Sequence, residues 1–206
     1  MKIIQPSYDI LRIVENLEDG PRVCYKSEGN KKDGSADYLN GCLIERGHES
    51  GIEHSSLSVR FICDRAFSHE LVRHRLLSFS QESQRYCNYS QDRFGGEITF
   101  IEPLTITPDT DIYPEWYTLI SHAESAYFEM LEHGLTPQEA RCVLPNCTKT
   151  EMVVTGNFRE WRHVLKLRTA DDAHPEMRRL MIPLLSELKT RVPVIFDDIL
   201  PESSQK

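Results

Sequence analysis

Along the chain the spacing of apolar residues changes several times, and each change predicts an element. Short apolar runs at Ile3-Ile4, Ile10-Leu11 and Ile13-Val14, parted by Pro6, predict two short strands within residues 2–15. Residues 16–36, rich in Gly, Lys, Asp and Glu, read as a helix fragment followed by a solvated loop at 27–35. Leu39, Cys42 and Leu43 then fall at helical spacing over 37–46, with Gly47 as the stop. His48 to His54 is a polar turn. Residues 57–63 alternate and then become wholly apolar, which predicts a strand of the core sheet. Asp64 is placed to cap a helix over 65–73 that buries Phe67 and Leu71 and delivers Arg73, His74 and Arg75 at its end.

The second half is more regular. A polar loop over 86–96 leads to a short strand at 98–101 and a turn region at 105–111. Trp116, Ile120, Ala123, Tyr127, Met130 and Leu131 form one stripe of a helix over 114–133, closed by Gly134. Thr136-Pro137-Gln138-Glu139 is a helix start with cap, proline and capping-box glutamate in register, and the helix stops before Pro145. A strand follows at 149–155. Asn157 and Glu160 make a second capping box for a helix to Arg168 that buries Phe158, Trp161 and Leu165. The last long helix carries the stripe Met177, Leu180, Met181, Leu184, Leu185 and Leu188, with Pro183 expected to bend it or leave a carbonyl free. Residues 197–206 are acidic, then polar, and are expected to fray. Elements in this order predict an α+β fold: a central, mostly antiparallel sheet packed with several helices, in a single domain over 1–206.

Composition narrows the function. The net charge of −8 and pI near 5.5 argue against a general nucleic-acid surface. No apolar run approaches membrane-spanning length, and the amino terminus turns polar at once, so no membrane partner and a cytoplasmic location are expected. The six cysteines show no C-x-x-C pair and read as reduced thiols. No metal site is expected: His48 and His54 are six apart, which turns them to opposite sides of a helix. No G-x-G-x-x-G occurs, so a dinucleotide would be held outside a Rossmann site.

Against this acidic background, residues 73–85 carry three arginines, one histidine and a single carboxylate. Guanidinium groups suit phosphate and carboxylate and keep their charge when buried. With Ser78, Gln81 and Ser83 between them, they make a pocket for a small, oxygen-rich anion. The plain alternative is a solvated basic loop; Leu76, Leu77 and Phe79 weigh against it by pinning the segment to a core. Other readings are an RNA-binding module over 73–93, opposed by the acidic balance, and a nucleotide-binding regulator without turnover.

Arg73-His74-Arg75, seven residues, then Ser83, with Ser78 and Arg85 in place, resembles the signature of the flavin-dependent thymidylate synthases. Ser80 stands where that pattern has Asn. The likeness runs on through His48-Glu49-Ser50, through Ala140-Arg141-Cys142-Val143-Leu144-Pro145, and through Asn157-Phe158-Arg159 to Leu167-Arg168. The resemblance implies reductive methylation of dUMP to dTMP, with 5,10-methylenetetrahydrofolate as carbon donor and FAD reduced by NADPH as hydride source. It implies no cysteine nucleophile, although Cys147 sits near a turn as a decoy. It implies a homotetramer with shared active sites and no nucleic-acid polymer as partner. By the same likeness Arg73, Gln81, Ser83, Arg85, Arg141 and Arg168 bind dUMP, and Arg168 polarises the base. Ser83 is the candidate nucleophile or, having no base partner in sequence, a hydrogen-bond donor to the nucleotide. His48, Ser50, Arg73, His74, Arg75, Asn157, His163 and His174 are implied to hold the flavin, with His163 in place of an expected Asn.

Overall fold

The computed structural model describes residues 1–91 and 95–200. Asp92 of the expected polar loop, Arg93 of the RNA-binding reading and 201–206 of the expected tail lie outside the described residues. Strands β2 (Ser7–Val14), β3 (Ser56–Asp64), β6 (Lys149–Asn157) and β4 (Ser78–Gln81) form a four-stranded sheet in the order β2-β3-β6-β4. Its pairs run antiparallel. On β3 and β6, Ser55 O accepts Phe158 N–H at 3.0 Å while Ser58 meets Thr155 at 2.8 Å. Leu77 approaches Gly156, and Glu82 N–H donates to Glu151 O at 2.8 Å. Strand β3 buries every second residue (Leu57, Val59, Phe61, Cys63), which fixes its register, since a slip of one would turn that row to the other face.

The contacts group into two compact units, and β3, β4 and β6 each have residues in both. The first comprises residues 1–7, 61–73 and 80–152. There β1 (Lys2–Ile4) pairs in parallel with β5 (Thr99–Ile101), the register running from Lys2↔Thr99 to Ile4↔Ile101. Helix α4 (Tyr113–Glu132) buries Ile120 and Tyr127 in a cluster with Tyr89, Ile98, Phe100 and Ala140. The Thr136–Glu139 capping box opens α5 (Pro137–Ala140), and a 3-10 turn follows at Arg141–Val143. Helix α3 (Arg65–Leu71) is capped as expected: Asp64 Oδ1 accepts Phe67 N–H at 2.6 Å.

In the second unit, residues 8–60, 74–79 and 153 onward, α1 (Asp19–Tyr25) precedes α2 (Ser35–Glu45). Gly47, at φ +71°, ends α2: its N–H reaches Ile44 O, and His48 N–H reaches Leu43 O at 2.8 Å, a Schellman closure. The polar turn is a 3-10 helix over Glu49–His54. Helix α6 (Phe158–Thr169) buries Phe158, Trp161, Val164 and Leu165, and Trp161 Nε1–H donates to Leu57 O at 3.0 Å. Helix α7 (Pro175–Arg191) buries the whole expected stripe, and α8 (Pro193–Phe196) follows.

Several expectations need correction. Helix α3 stops at Leu71, so Arg73-His74-Arg75 lies in a turn beyond it, and β4, a strand of four residues, takes up Ser78–Gln81. Leu76 does not pin the segment to the core: it is 78% exposed, while Leu77 is buried. Alongside these, helix α7 continues through the exposed Pro183, and Leu184 and Leu185 beside it are buried. Residues 197–200 are packed in place: Ile199 is buried, and Asp198 makes a two-pronged ion pair with Arg162 at 2.6 Å on each prong. The second capping box forms only its forward half, Asn157 Oδ1 accepting Glu160 N–H at 2.8 Å.

Candidate active site

In the second unit the histidine of the Arg-His-Arg motif meets the last arginine of α6. Arg168 Nε donates to His74 Nε2 at 2.9 Å. Arginine only donates, so His74 Nε2 carries the lone pair and the imidazole proton sits on Nδ1. Burial, then the Arg168 charge, then His163 push the His74 pKa down to about 4, so the ring is neutral at pH 7. Glu160 Oε1 lies 3.8 Å from His74 Nδ1, too far for a hydrogen bond, and a neutral ring makes no ion pair there. His163 packs edge-on against His74, with ring centroids 5.8 Å apart. Burial raises the Glu160 pKa, and His163 partly offsets it.

Beside this group opens a cleft of about 560 Å³ lined by Asn157, His163, Glu160, Arg159, Lys166 and Leu76, among others. It is within the size range of small-molecule sites. Glu49 and Glu53, on the turn that His48 heads, line it too. Glu53 holds Arg159 at 2.5 Å. Arg162, almost wholly buried, is gripped by Asp198, by Glu49 at 3.1 Å and by Ile195 O. The turn that carries His48 and Ser50 is thereby tied to α6. His48 Nδ1 contacts Tyr25 Oη at 3.3 Å; Ser50 and Arg75 are exposed, and His174 is exposed at the head of α7.

The remaining expected nucleotide ligands lie in the first unit. Arg73 is exposed just past α3. Gln81 Nε2 donates to Ser68 Oγ at 3.0 Å and Thr150 Oγ1 at 3.1 Å. Glu82, next to Ser83, accepts from Tyr89 Oη at 2.8 Å and pairs with Lys149 at 2.6 Å, which fixes the start of the loop. Ser83 Oγ accepts Arg85 N–H at 3.3 Å, and among the described residues no histidine or carboxylate is hydrogen-bonded to that hydroxyl. Arg85 lies over the Tyr86 ring at 5.6 Å and reaches Gln138 on α5, three residues before Arg141. Arg85 is thus held at α5, and Arg141 stands just beyond the end of that helix. No group of three or more metal-ligating side chains occurs among the described residues.

Sequence reasoning passed over Glu160, Arg162, Lys166, Glu49 and Glu53. For Glu160 a signal existed. Positions 157, 160, 161, 164, 165 and 168 make one helical stripe, and a carboxylate within an apolar stripe asks for a reason. The partners of Arg162 stand 36 and 113 residues away and leave no local trace.

The family described as Thymidylate synthase complementing protein matches residues 15–194. The flavin-dependent thymidylate synthase of Pyrococcus furiosus is 36% identical over 160 residues, covering 77% of this chain and 63% of that protein, so the chain spans somewhat under two thirds of that relative's length. The flavin-dependent thymidylate synthase of Corynebacterium aurimucosum is 35% identical over 195 residues, covering 88% of this chain and 78% of that protein. Among solved structures, the UMP/dUMP methylase PolB of Streptomyces cacaoi bound with 5-Br dUMP has a TM-score of 0.81 at 21% identity, covering 96% of both chains, and so shares the fold. By the extent of these matches, the chain belongs to the flavin-dependent thymidylate synthase family.

Proposed function

We propose that the chain is a thymidylate synthase that methylates dUMP reductively to dTMP, taking carbon from 5,10-methylenetetrahydrofolate and hydride from FAD reduced by NADPH. The observation that carries this reading is the Arg168–His74 hydrogen bond, which joins the signature motif to the arginine assigned to the base. The residues around the cleft suit a flavin dinucleotide. Lys166 offers a cation to a diphosphate beside the Arg159–Glu53 pair, Asn157 and His163 offer polar edges, and exposed Leu76 offers an apolar surface. His48, Ser50, Arg73, His74, Arg75 and His174 complete the assigned set. Bound flavin supplies the hydride chemistry that side chains lack.

The protein's own part is to bind and polarise. Arg73, Gln81, Ser83, Arg85 and Arg141 hold the nucleotide, and Arg168 meets the pyrimidine, where a positioned donor is commonly worth about 3–4 kcal/mol to the barrier. Ser83 serves as a hydrogen-bonding group, a role favoured over attack because no base is hydrogen-bonded to it among the described residues. Attack by Cys147 or Cys63 is disfavoured because burial pushes the Cys147 thiol up to about 11 and raises Cys63 as well. Active sites are shared in a homotetramer located in the cytoplasm; no helix among the described residues is long and apolar enough to cross a membrane. The test is dTMP formation from dUMP, methylenetetrahydrofolate and NADPH, with flavin omitted as control. Flavin-dependent product, abolished by Arg168→Ala, supports the reading. Nucleotide binding without turnover under any reductant refutes it and leaves a regulator.

A further inference from the structure

Glu160 is a shielded carboxylate on the wall of the cleft: its residue is 7% exposed, and its carboxylate accepts no hydrogen bond among the described residues. It lies 3.8 Å from His74 Nδ1, and His163 acts electrostatically on it. His74 in turn is faced by Glu160, His163 and Arg168, all on α6. We propose that Glu160 is a positioning residue, acting through His74 on Arg168 in a carboxylate–imidazole–guanidinium relay. This rests on the reading of Arg168 as a nucleotide ligand.

The physics is as follows. His74 can hold Arg168 only while Nε2 is unprotonated, so the ring proton must stay on Nδ1. A negative charge on the Nδ1 side favours that tautomer over the reverse one, which would point an N–H at a guanidinium. Capture of Nε fixes the plane of the guanidinium and with it the direction of its NH2 edge. A substrate base then meets a donor already oriented, with less ordering left to do on binding.

The test uses the full chain with Glu160→Gln, Glu160→Asp and Arg168→Ala. Imidazole ¹⁵N NMR of the ligand-free protein, with His74 assigned by its loss in His74→Gln, should show Nδ1–H in the wild type and a mixed tautomer in Glu160→Gln. Calorimetric affinity for dUMP should fall about tenfold in Glu160→Gln, the value of one charge-assisted hydrogen bond, and return most of the way in Glu160→Asp. Thermal melting should be unchanged or raised in Glu160→Gln, which separates positioning from a structural role. Wild-type tautomer and wild-type affinity in Glu160→Gln, with affinity lost in Arg168→Ala, would overturn the relay alone. Wild-type affinity in Arg168→Ala would instead overturn the reading of Arg168, and the relay as a device for substrate with it.

Discussion

Replacing His74 by Gln should change how stability depends on pH, because the imidazole is held neutral in the folded protein. Its folded pKa is pushed down to about 4, by burial first and then by Arg168 and His163. In the unfolded chain the same group titrates near about 6.5. Between these values the unfolded chain binds a proton that the folded chain refuses. Folding is therefore favoured as pH rises, with the full benefit present above about 6.5 and lost as pH falls toward the folded value. Each pKa unit corresponds to about 1.4 kcal/mol, so His74 alone removes up to about 3 kcal/mol on going from pH 7 to pH 4. His74→Gln keeps an acceptor for Arg168 Nε–H and abolishes the titration. Urea unfolding at half-unit steps from pH 4.5 to 7.5 reads the difference, since other titrating groups are common to both proteins. The wild-type free energy should drop more steeply below pH 6.5 than the variant's, by about 1 kcal/mol per pH unit. Parallel curves would mean that His74 is not neutral when buried, and the tautomer argument would fall with it.

Other substitutions probe the packing around the site. A Cβ at Gly156 would stand 2.2 Å from Leu77 Cδ2, so Gly156→Ala should destabilise by about 1–3 kcal/mol in thermal melts, and Leu77→Ala in the same chain should relieve part of that clash. Arg162→Met leaves Asp198 and Glu49 without their buried cation and should cost about 3–5 kcal/mol in urea titrations. Hydrogen bonds from Arg162 hold the Asp198 carboxyl below its usual range, which stabilises above the unfolded pKa near about 4 and is lost below the folded one. The Arg162→Met protein should lack that acid-side dependence. Asp64→Ala removes the α3 cap and should cost about 1 kcal/mol, read by thermal melting.

The long amphipathic elements were legible because their burial is periodic. Helices α6 and α7 and strand β3 bury the stripes that their spacing predicts, α4 buries Ile120 and Tyr127 of its stripe and half-buries the rest, and Gly47 ends α2 by the backbone geometry that glycine favours. Shorter pieces were not. Strand β4 has only Phe79 and three polar residues, and its pairing with β6 is decided by a segment about seventy positions away. Leu76 read as core because it stands beside Leu77, yet neighbouring residues in a turn need not share a face, and only one of them is buried. The capping-box pattern at Asn157 was half right. The backbone took Asn157 as its cap, while burial beside His74 placed the Glu160 carboxylate elsewhere. What sequence could not disclose was charge kept inside by partners distant along the chain, as with Arg162.

His74 as a partner for Arg168 has a chemical logic of its own. A carboxylate in its place would hold the guanidinium more strongly, but it would oppose the charge that an electron-rich ligand needs. A neutral imidazole fixes direction and adds no opposing charge of its own. Neutrality must then be enforced, and two features enforce it: His74 is desolvated, and the Arg168 charge opposes a second proton on the ring. The arrangement sustains itself, since the arginine keeps the histidine neutral and the neutral histidine keeps the arginine in place. Its seat in the last turn of α6 adds to this, because the negative end of the helix dipole favours a cation there. Helix α6 therefore needs its apolar stripe for more than stability: Phe158, Trp161 and Leu165 set the rotation of the helix, and that rotation puts Glu160, His163 and Arg168 around one imidazole.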